Sequence, residues 1–330
     1  MPPSLPLPPL ELANRVGTLT GEDPYVEYER IGREARERIV GLLPDGFLDE
    51  PRRILDFGCG AGRVLRHFAD EAAAGHEVLG CDLDEASIEW LGANLSPPFQ
   101  AFVSDAEPPL PIEGGALDLV FSVSVFTHLT DTWAPWLLEL HRVLAPGGIL
   151  VTTFMAEGML RHLLPDETWD DERFGMTVIR DGQSWALGGP MVFHAPWWIE
   201  AHWGRAFEVL ELERSGFALP PGEGQGVVAL RRRDVSLDVA DLVAPERDEP
   251  REGAAAAYNL ALVQREAREA RATIDWLQES LAEERAGRAQ AEARAAALAS
   301  EVETFARSTS WRITRPLRAA RQRLRGTASR

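Results

Sequence analysis

The spacing of apolar residues changes several times along this chain, and each change marks a different element. Residues 25–43, "YVEYERIGREARERIVGLL", set Tyr25, Tyr28, Ile31, Ala35, Ile39 and Leu42 or Leu43 at helical spacing behind a Pro-rich lead. They predict an N-terminal helical cap over residues 1–48. From residue 52 the pattern alternates: "RRILDFG" strand, "GRVLRHFADEAAA" helix, "HEVLGCD" strand, "EASIEWLGANL" helix, "QAFVSD" strand. It continues with "ALDLVFSVSVF" as strand and loop, "WAPWLLELHRVL" as helix and "GGILVTTF" as strand. Such repetition predicts βαβ crossovers, hence an α/β fold with a mostly parallel sheet and helices on both faces.

Residues 155–190 lose this periodicity and carry several turn signals. Long connections of that kind are more often functional covers than idle loops, so they are the expected lid over a substrate. "PWWIEAHWG" then reads as helix, "FEVLELER" and "GQGVVALRRR" as strands, and the domain is expected to span 49–233. An acidic, proline-containing linker at 234–253 leads to a helical stretch at 254–306. Counting by sevens, Leu260, Ala267, Ile274, Leu281, Ala295 and Val302 form one seam, interrupted by Arg288. Val263, Ala270, Leu277, Ala291, Leu298 and Phe305 accompany it, interrupted by Glu284. This predicts a coiled coil of about 50 residues, roughly 75 Å long, and a homo-oligomer built through it. The alternative is a lone Ala/Glu/Arg-rich helix, solvated or folded back on the body. Glu284 and Arg288, one turn apart, are placed to pair on the seam.

Composition narrows the function classes. The 330 residues carry 52 Asp plus Glu against 34 basic residues, a formal charge of −18, which argues against nucleic-acid binding by the body. Every basic residue is Arg, so lysine Schiff-base chemistry is excluded. The two cysteines, Cys59 and Cys81, are too few for a disulfide scaffold, and the N-terminus lacks the pattern of a signal peptide. A reducing cytoplasm is the expected compartment, with any membrane contact peripheral.

Chemistry concentrates at the strand ends. "ILDFGCGAGR" ends the first strand with Gly58, Gly60 and Gly62 spaced as GxGxG, two residues after Asp56. Glycines there let the backbone turn sharply and approach a ligand closely. A dinucleotide site would want GxGxxG, and position 63 is Arg, which counts against a nicotinamide-dependent dehydrogenase. The second strand ends in "GCDLD", where Asp82 can accept both ribose hydroxyls of a nucleoside while Asp84 caps the next helix. "VSDAE" places Asp105 at the same rim, able to accept an exocyclic amine of adenine.

In order and separation, "ILDFGCGAGR", "GCDLD", "SDAE" and "LHRVLAPGGILVTT" resemble the class I S-adenosylmethionine-dependent methyltransferases over roughly residues 50–233. The resemblance implies a Rossmann-like seven-stranded sheet whose last strand runs antiparallel, reached through a hairpin, and followed here by the long C-terminal coiled-coil helix. It implies S-adenosylmethionine as cofactor and no obligatory metal. Gly58, Gly60 and Gly62 would pass beside its methionine part, Asp56 would help hold the ammonium, and Asp82 would take the ribose. Asp105 with Ala106 would meet the adenine edge, and Ser122 and Val123 would floor the pocket near the sulfonium. His128 in "FTHL" and His194 in "VFHAP" are the candidate general bases, since histidine titrates near neutral pH. For each, a hydrogen-bonded structural role is the competing reading.

The C-terminal words "STSWRITRPLR" resemble a tail found on bacterial polysaccharide-assembly proteins. Thr314 and Pro316 can open a helix in which Leu317, Ala320 and Leu324 share a face, with Arg315, Arg318, Arg321, Arg323 and Arg325 around them. A basic amphipathic segment near Trp311 suits peripheral contact with an anionic membrane at its inner face; a disordered solubilising tail is the alternative. The leading expectation is therefore a methyltransferase acting on a sugar hydroxyl of a surface glycan or its lipid-linked precursor. A soluble small-molecule or natural-product methyltransferase and a non-catalytic scaffold are the other two.

Overall fold

The computed structural model describes residues 5–16, 19, 23–164, 167–184, 188–220 and 222–326, with the side chains of Val16, Arg161 and residues 321–326 outside the description. Parts of the expected lid, at 165–166 and 185–187, and the side chains of Arg321, Arg323, Leu324 and Arg325 thus lie outside the described residues. The chain divides into two units, residues 1–260 and 261–330.

A short helix, α1 (Leu10–Ala13), precedes α2 (Pro24–Gly41). Asp23 starts α2 by accepting hydrogen bonds from the amides of Tyr25 at 2.9 Å and Val26 at 3.3 Å, and Pro24 occupies the first turn. The buried face of α2 is Tyr28, Gly32, Ala35 and Ile39 rather than one including Tyr25 and Ile31, which are half-buried. Gly32 decides this: a Cβ there would stand 2.1 Å from the carbonyl oxygen of Arg63, so only glycine lets α2 lie on the loop after the first strand.

That strand, β1 (Arg53–Phe57), is followed by a 3₁₀ turn at Leu65–Phe68 and the short α3 (Ala69–Ala73). The sequence predicts one continuous helix here. The structure breaks it at Phe68, whose ψ of 20° lies outside the helical well. Then come β2 (Glu77–Asp82), α4 (Glu85–Asn94), β3 (Gln100–Val103), β4 (Leu117–Ser122), α5 (Trp133–Val143) and β5 (Leu144–Phe154). After α6 (Glu157–Leu163), β6 (Met176–Ile179), β7 (Met191–His194) and α7 (Pro196–Ala206), the hairpin strands β8 (Phe207–Glu213) and β9 (Gly226–Arg232) complete the sheet.

The seven-stranded order is β3-β2-β1-β4-β5-β9-β8, with β1 to β5 pairing in parallel and β9 antiparallel to both neighbours. Ile54 joins Ile39, Leu91 and Phe121 in one core layer, while Phe57 packs on Trp136 of α5 at 4.8 Å, so helices cover both faces as expected. The connection expected to be a lid contains α6 and β6, and β6 pairs with β7 in a separate two-stranded antiparallel ribbon. Long-range pairing builds that ribbon, and local periodicity does not report it.

The expected linker is also structured. Helix α8 (Val239–Val243) is closed by a reciprocal cap between Asp238 and Asp241, buries Leu242 and packs on α5 and α7. A 57-residue helix, α9 (Arg251–Arg307), follows, and its first ten residues belong to the first unit. Tyr258 meets Phe174 at 4.8 Å. The Asn259 side chain donates to the Met176 carbonyl at 2.8 Å and accepts from the Thr177 hydroxyl at 2.9 Å. His202 contacts Glu252 at 2.8 Å. The first unit therefore runs to Leu260.

In the second unit, Arg288 pairs with Glu292 at 3.0 Å rather than with Glu284. Ser308 ends α9 and caps α10 (Thr309–Ile313), and α11 (Arg315–Gly326) follows. Among the described residues no helix is long and apolar enough to cross a membrane, and no group of three or more His, Cys, Asp or Glu is placed to hold a metal.

Candidate functional site

The site forms where β1, β2, β3 and β4 end, at the carboxyl edge of the sheet. Beyond β1 the chain passes Gly58, Gly60 and Gly62 at φ of +84°, +51° and +81°. At Gly58 a Cβ would also come within 2.3 Å of a Val125 methyl, so both conformation and space require glycine. The Gly58 and Cys59 amides donate to the Cys81 carbonyl at 2.8 and 3.0 Å, hooking the loop onto the end of β2. Cys59 and Cys81 are both buried free thiols and fill space beside it.

Asp82 completes the hook. One carboxylate oxygen accepts the Gly60 amide at 2.7 Å and the other accepts the Asp84 amide at 2.9 Å. Each oxygen keeps a lone pair for a further donor. Burial raises the Asp82 pKa, opposed by these backbone hydrogen bonds. Asp84 caps α4 as expected, accepting from the Ser87 amide at 3.1 Å, and pairs with Arg15.

Asp56 lies beneath the loop and is 2% exposed. The Leu65 amide hydrogen-bonds its carboxyl, while Oδ2 is buried without a partner. Burial, and then the nearby Asp82 charge, push its pKa well above the usual carboxylate range. Arg63 is also buried, in the electrostatic reach of Tyr28, Asp56 and Glu27, and its Nε has no partner. Asp105 and Ala106 are exposed on the rim beyond β3, where the Ala106 carbonyl accepts from Trp136 at 3.2 Å. Ser122 is buried with its hydroxyl on Thr152 at 2.8 Å, and Val123 is half-buried against the core.

The two histidines separate. His194 has no exposed surface, and neither ring nitrogen has a hydrogen-bond partner among the described residues. Its ring stands 5.4 Å from Trp198 and 5.2 Å from Trp203, and burial lowers its pKa to about 3. A neutral imidazole sealed among aromatic rings cannot reach a substrate proton, so His194 packs instead of acting as a base. His128 is half-buried on the loop after β4. Its Nδ1 lies 2.7 Å from the Pro190 carbonyl, which requires Nδ1–H. Burial lowers its pKa, and the Pro190 carbonyl opposes that shift. His141 packs on Phe207 and contacts the Arg233 carbonyl, and Trp197 and Trp198 are buried.

Residues not singled out in the sequence join the edge between β4, β5 and β9. Ser124 takes a left-handed φ of 64° and accepts from the Gln225 amide at 2.8 Å, while the Thr153 hydroxyl accepts the Ser124 amide at 2.7 Å. Gln225 Oε1 is buried without a partner. No local signal marks this group, because positions 124 and 225 are 101 residues apart. Tyr28 and Arg63 carried a signal, the glycine inside an otherwise strong helix. The ribbon lies alongside: the Val192 amide donates to the Thr127 carbonyl at 2.8 Å, and the His194 amide to Met155 at 2.8 Å.

Residues 55–152 match the family model of a methyltransferase domain. The chain carries a class I S-adenosylmethionine-dependent methyltransferase domain. Among curated proteins, this chain is 32% identical over 145 residues to a malonyl-[acyl-carrier protein] O-methyltransferase of Geobacter sulfurreducens, covering 43% of this chain and 53% of the relative. It is 34% identical over 105 residues to an uncharacterized methyltransferase of Mycobacterium leprae, covering 31% of this chain and 37% of that one. The chain thus spans about half the length of the first of these relatives and less of the second. Among solved structures, the magnesium protoporphyrin IX methyltransferase of Synechocystis PCC 6803 with bound SAH aligns at TM-score 0.47 and 16% identity, over 68% of this chain and 94% of that one.

The cofactor of the methyltransferase domain is S-adenosylmethionine, and the edge fits it. Asp56 offers a buried orphan oxygen to a cation, Asp82 offers two oxygens already aimed by backbone amides, and the glycine loop leaves the space that side chains would fill.

Asp82→Ala is expected to weaken S-adenosylmethionine binding about 100-fold by calorimetry, taking ~1.5 kcal/mol for each of two hydrogen bonds to a charged group. Unchanged affinity would remove Asp82 from the ribose site. A cation held against Asp56 favours its carboxylate, so binding should release a proton and tighten as pH rises until pH passes the raised pKa. Calorimetry in buffers of different ionisation enthalpy measures that release. It should vanish in Asp56→Asn, and equal release in both proteins would exclude Asp56 as its source.

Proposed function

We propose that the protein is an active S-adenosylmethionine-dependent methyltransferase whose acceptor is a sugar hydroxyl of a cell-surface glycan or its lipid-linked precursor. The hook formed by Asp82, Gly60 and Asp84 beside the orphan carboxylate of Asp56 carries the catalytic reading. When bound, the cofactor supplies a methyl group activated by positive sulfur. The chain's own residues hold and orient. Asp82 takes the ribose hydroxyls, Asp105 and Ala106 meet the adenine edge, Asp56 holds the ammonium, and the buried Arg63 faces the carboxylate. Ser122 and Val123 form the floor, and the β6–β7 ribbon beside the β4 loop limits water. His128 takes the acceptor proton, since a hydroxyl, unlike a carboxylate, must lose one.

Support for a glycan acceptor comes from that base and from the resemblance of "STSWRITRPLR" to tails of polysaccharide-assembly proteins. A second reading is favoured by the identity to proteins named malonyl-[acyl-carrier protein] O-methyltransferases: a carboxylate acceptor, for which His128 would be dispensable. The assembly is a homo-oligomer in which a second copy covers the seam of α9. Ile274, Leu277, Leu281, Val302 and Phe305 on that seam are 45–67% exposed, a row of apolar surface that pairing at heptad spacing would bury.

Methyl transfer from radiolabelled S-adenosylmethionine into a fractionated bacterial extract tests the acceptor. Label is expected in the glycan or lipid-linked fractions, lost in His128→Gln. Label in a carrier-protein fraction, retained in His128→Gln, would establish the carboxylate reading instead. Label in free small molecules would point to a soluble enzyme, and failure to bind the cofactor would leave a scaffold. Sedimentation equilibrium should show the full chain associated, and a monomer would remove the pairing of α9.

A further inference from the structure

The charge of this chain is strongly segregated. Residues 304–330 carry eight arginines and no acid, so the rest of the chain carries a formal −26 within the overall −18. Such separation does nothing for the fold of an acidic domain. It does create one cationic surface, and the second unit shows how that surface is built.

Ser308 terminates α9 and its hydroxyl accepts the Trp311 amide at 3.3 Å, starting α10 in a new direction. Trp311 meets Phe305 at 4.9 Å on one side, and on the other the Arg318 guanidinium lies 3.3 Å over its ring. Arg318 also donates to the Trp311 carbonyl at 2.8 Å. A tryptophan is thereby fixed among arginines. Around it, Phe305, Ile313 and Leu317 are 60%, 71% and 72% exposed, and Arg312 and Arg315 are exposed beside them. Large apolar side chains and guanidinium groups thus share one short stretch with no acid to neutralise it.

We infer that α10 and α11 form a peripheral docking surface for an anionic lipid bilayer. Arginines there meet lipid phosphates and the negative surface potential, while Trp311, Ile313 and Leu317 enter the boundary between headgroups and acyl chains. Charge complementarity selects the bilayer, and the exposed apolar groups set it apart from a nucleic acid, whose backbone rewards charge alone. This docking does not depend on which acceptor is methylated.

Co-sedimentation of the full chain with vesicles tests it, comparing phosphatidylcholine alone with phosphatidylcholine containing about 30% phosphatidylglycerol, at about 0.1 M salt. Binding is expected to the anionic vesicles at least about tenfold above the neutral ones and to weaken as salt rises. The triple variant Arg312→Gln, Arg315→Gln, Arg318→Gln should bind about 100-fold less, at about fivefold per arginine, with unchanged S-adenosylmethionine affinity showing that the domain is intact. Ile313→Ser with Leu317→Ser should weaken binding while leaving the charge as it was. Equal binding to both vesicle types, no binding, a triple variant that binds like the wild type, or tighter binding to duplex DNA than to vesicles would each overturn the proposal.

Discussion

One carboxylate holds the cofactor edge together. Asp82 accepts a backbone amide on each oxygen, from Gly60 on the loop after β1 and from Asp84 at the entry to α4. Two crossovers that share no sequence neighbourhood are thus referred to a single side chain. Half-buried hydrogen bonds of this kind are strengthened by low local dielectric and costly to leave unmade. The loop can take left-handed angles at three glycines because its amides are caught at Cys81 and Asp82. Gly32 transmits the same constraint outward, since α2 lies on the loop only where no Cβ intervenes.

The buried titratable groups divide by what surrounds them. His194 sits among Trp198 and Trp203, is held neutral and has nothing to exchange with a ligand. Asp56 is equally buried, but its unsatisfied oxygen lies beneath a glycine loop beside Asp82 and Arg63. Burial alone would make both groups silent. Only the carboxylate is orphaned beside an open cradle.

Legibility in the sequence followed the range of the interactions. The alternation of strands and helices, the glycine spacing and the acids at strand ends are set by contacts within one βαβ unit, and the sheet order agrees with them. What local pattern misses is made at long range. The β6–β7 ribbon is completed by Asn259, some 82 residues downstream of Thr177, and α8 is buried by α5 and α7 rather than by its own amphipathicity. His194 and His128 look alike as words in the chain. Only the walls of aromatic rings around one and the Pro190 carbonyl beside the other tell them apart. The heptad count predicts a seam along α9 but does not report that the first ten residues of the helix belong to the first unit.

Asn259 has one more effect. A two-stranded ribbon presents unpaired backbone groups along its outer edges, and such edges recruit strands from other chains. By donating to the Met176 carbonyl, the Asn259 amide occupies an acceptor on β6 that an incoming strand would need. The root of the long helix therefore covers part of that edge.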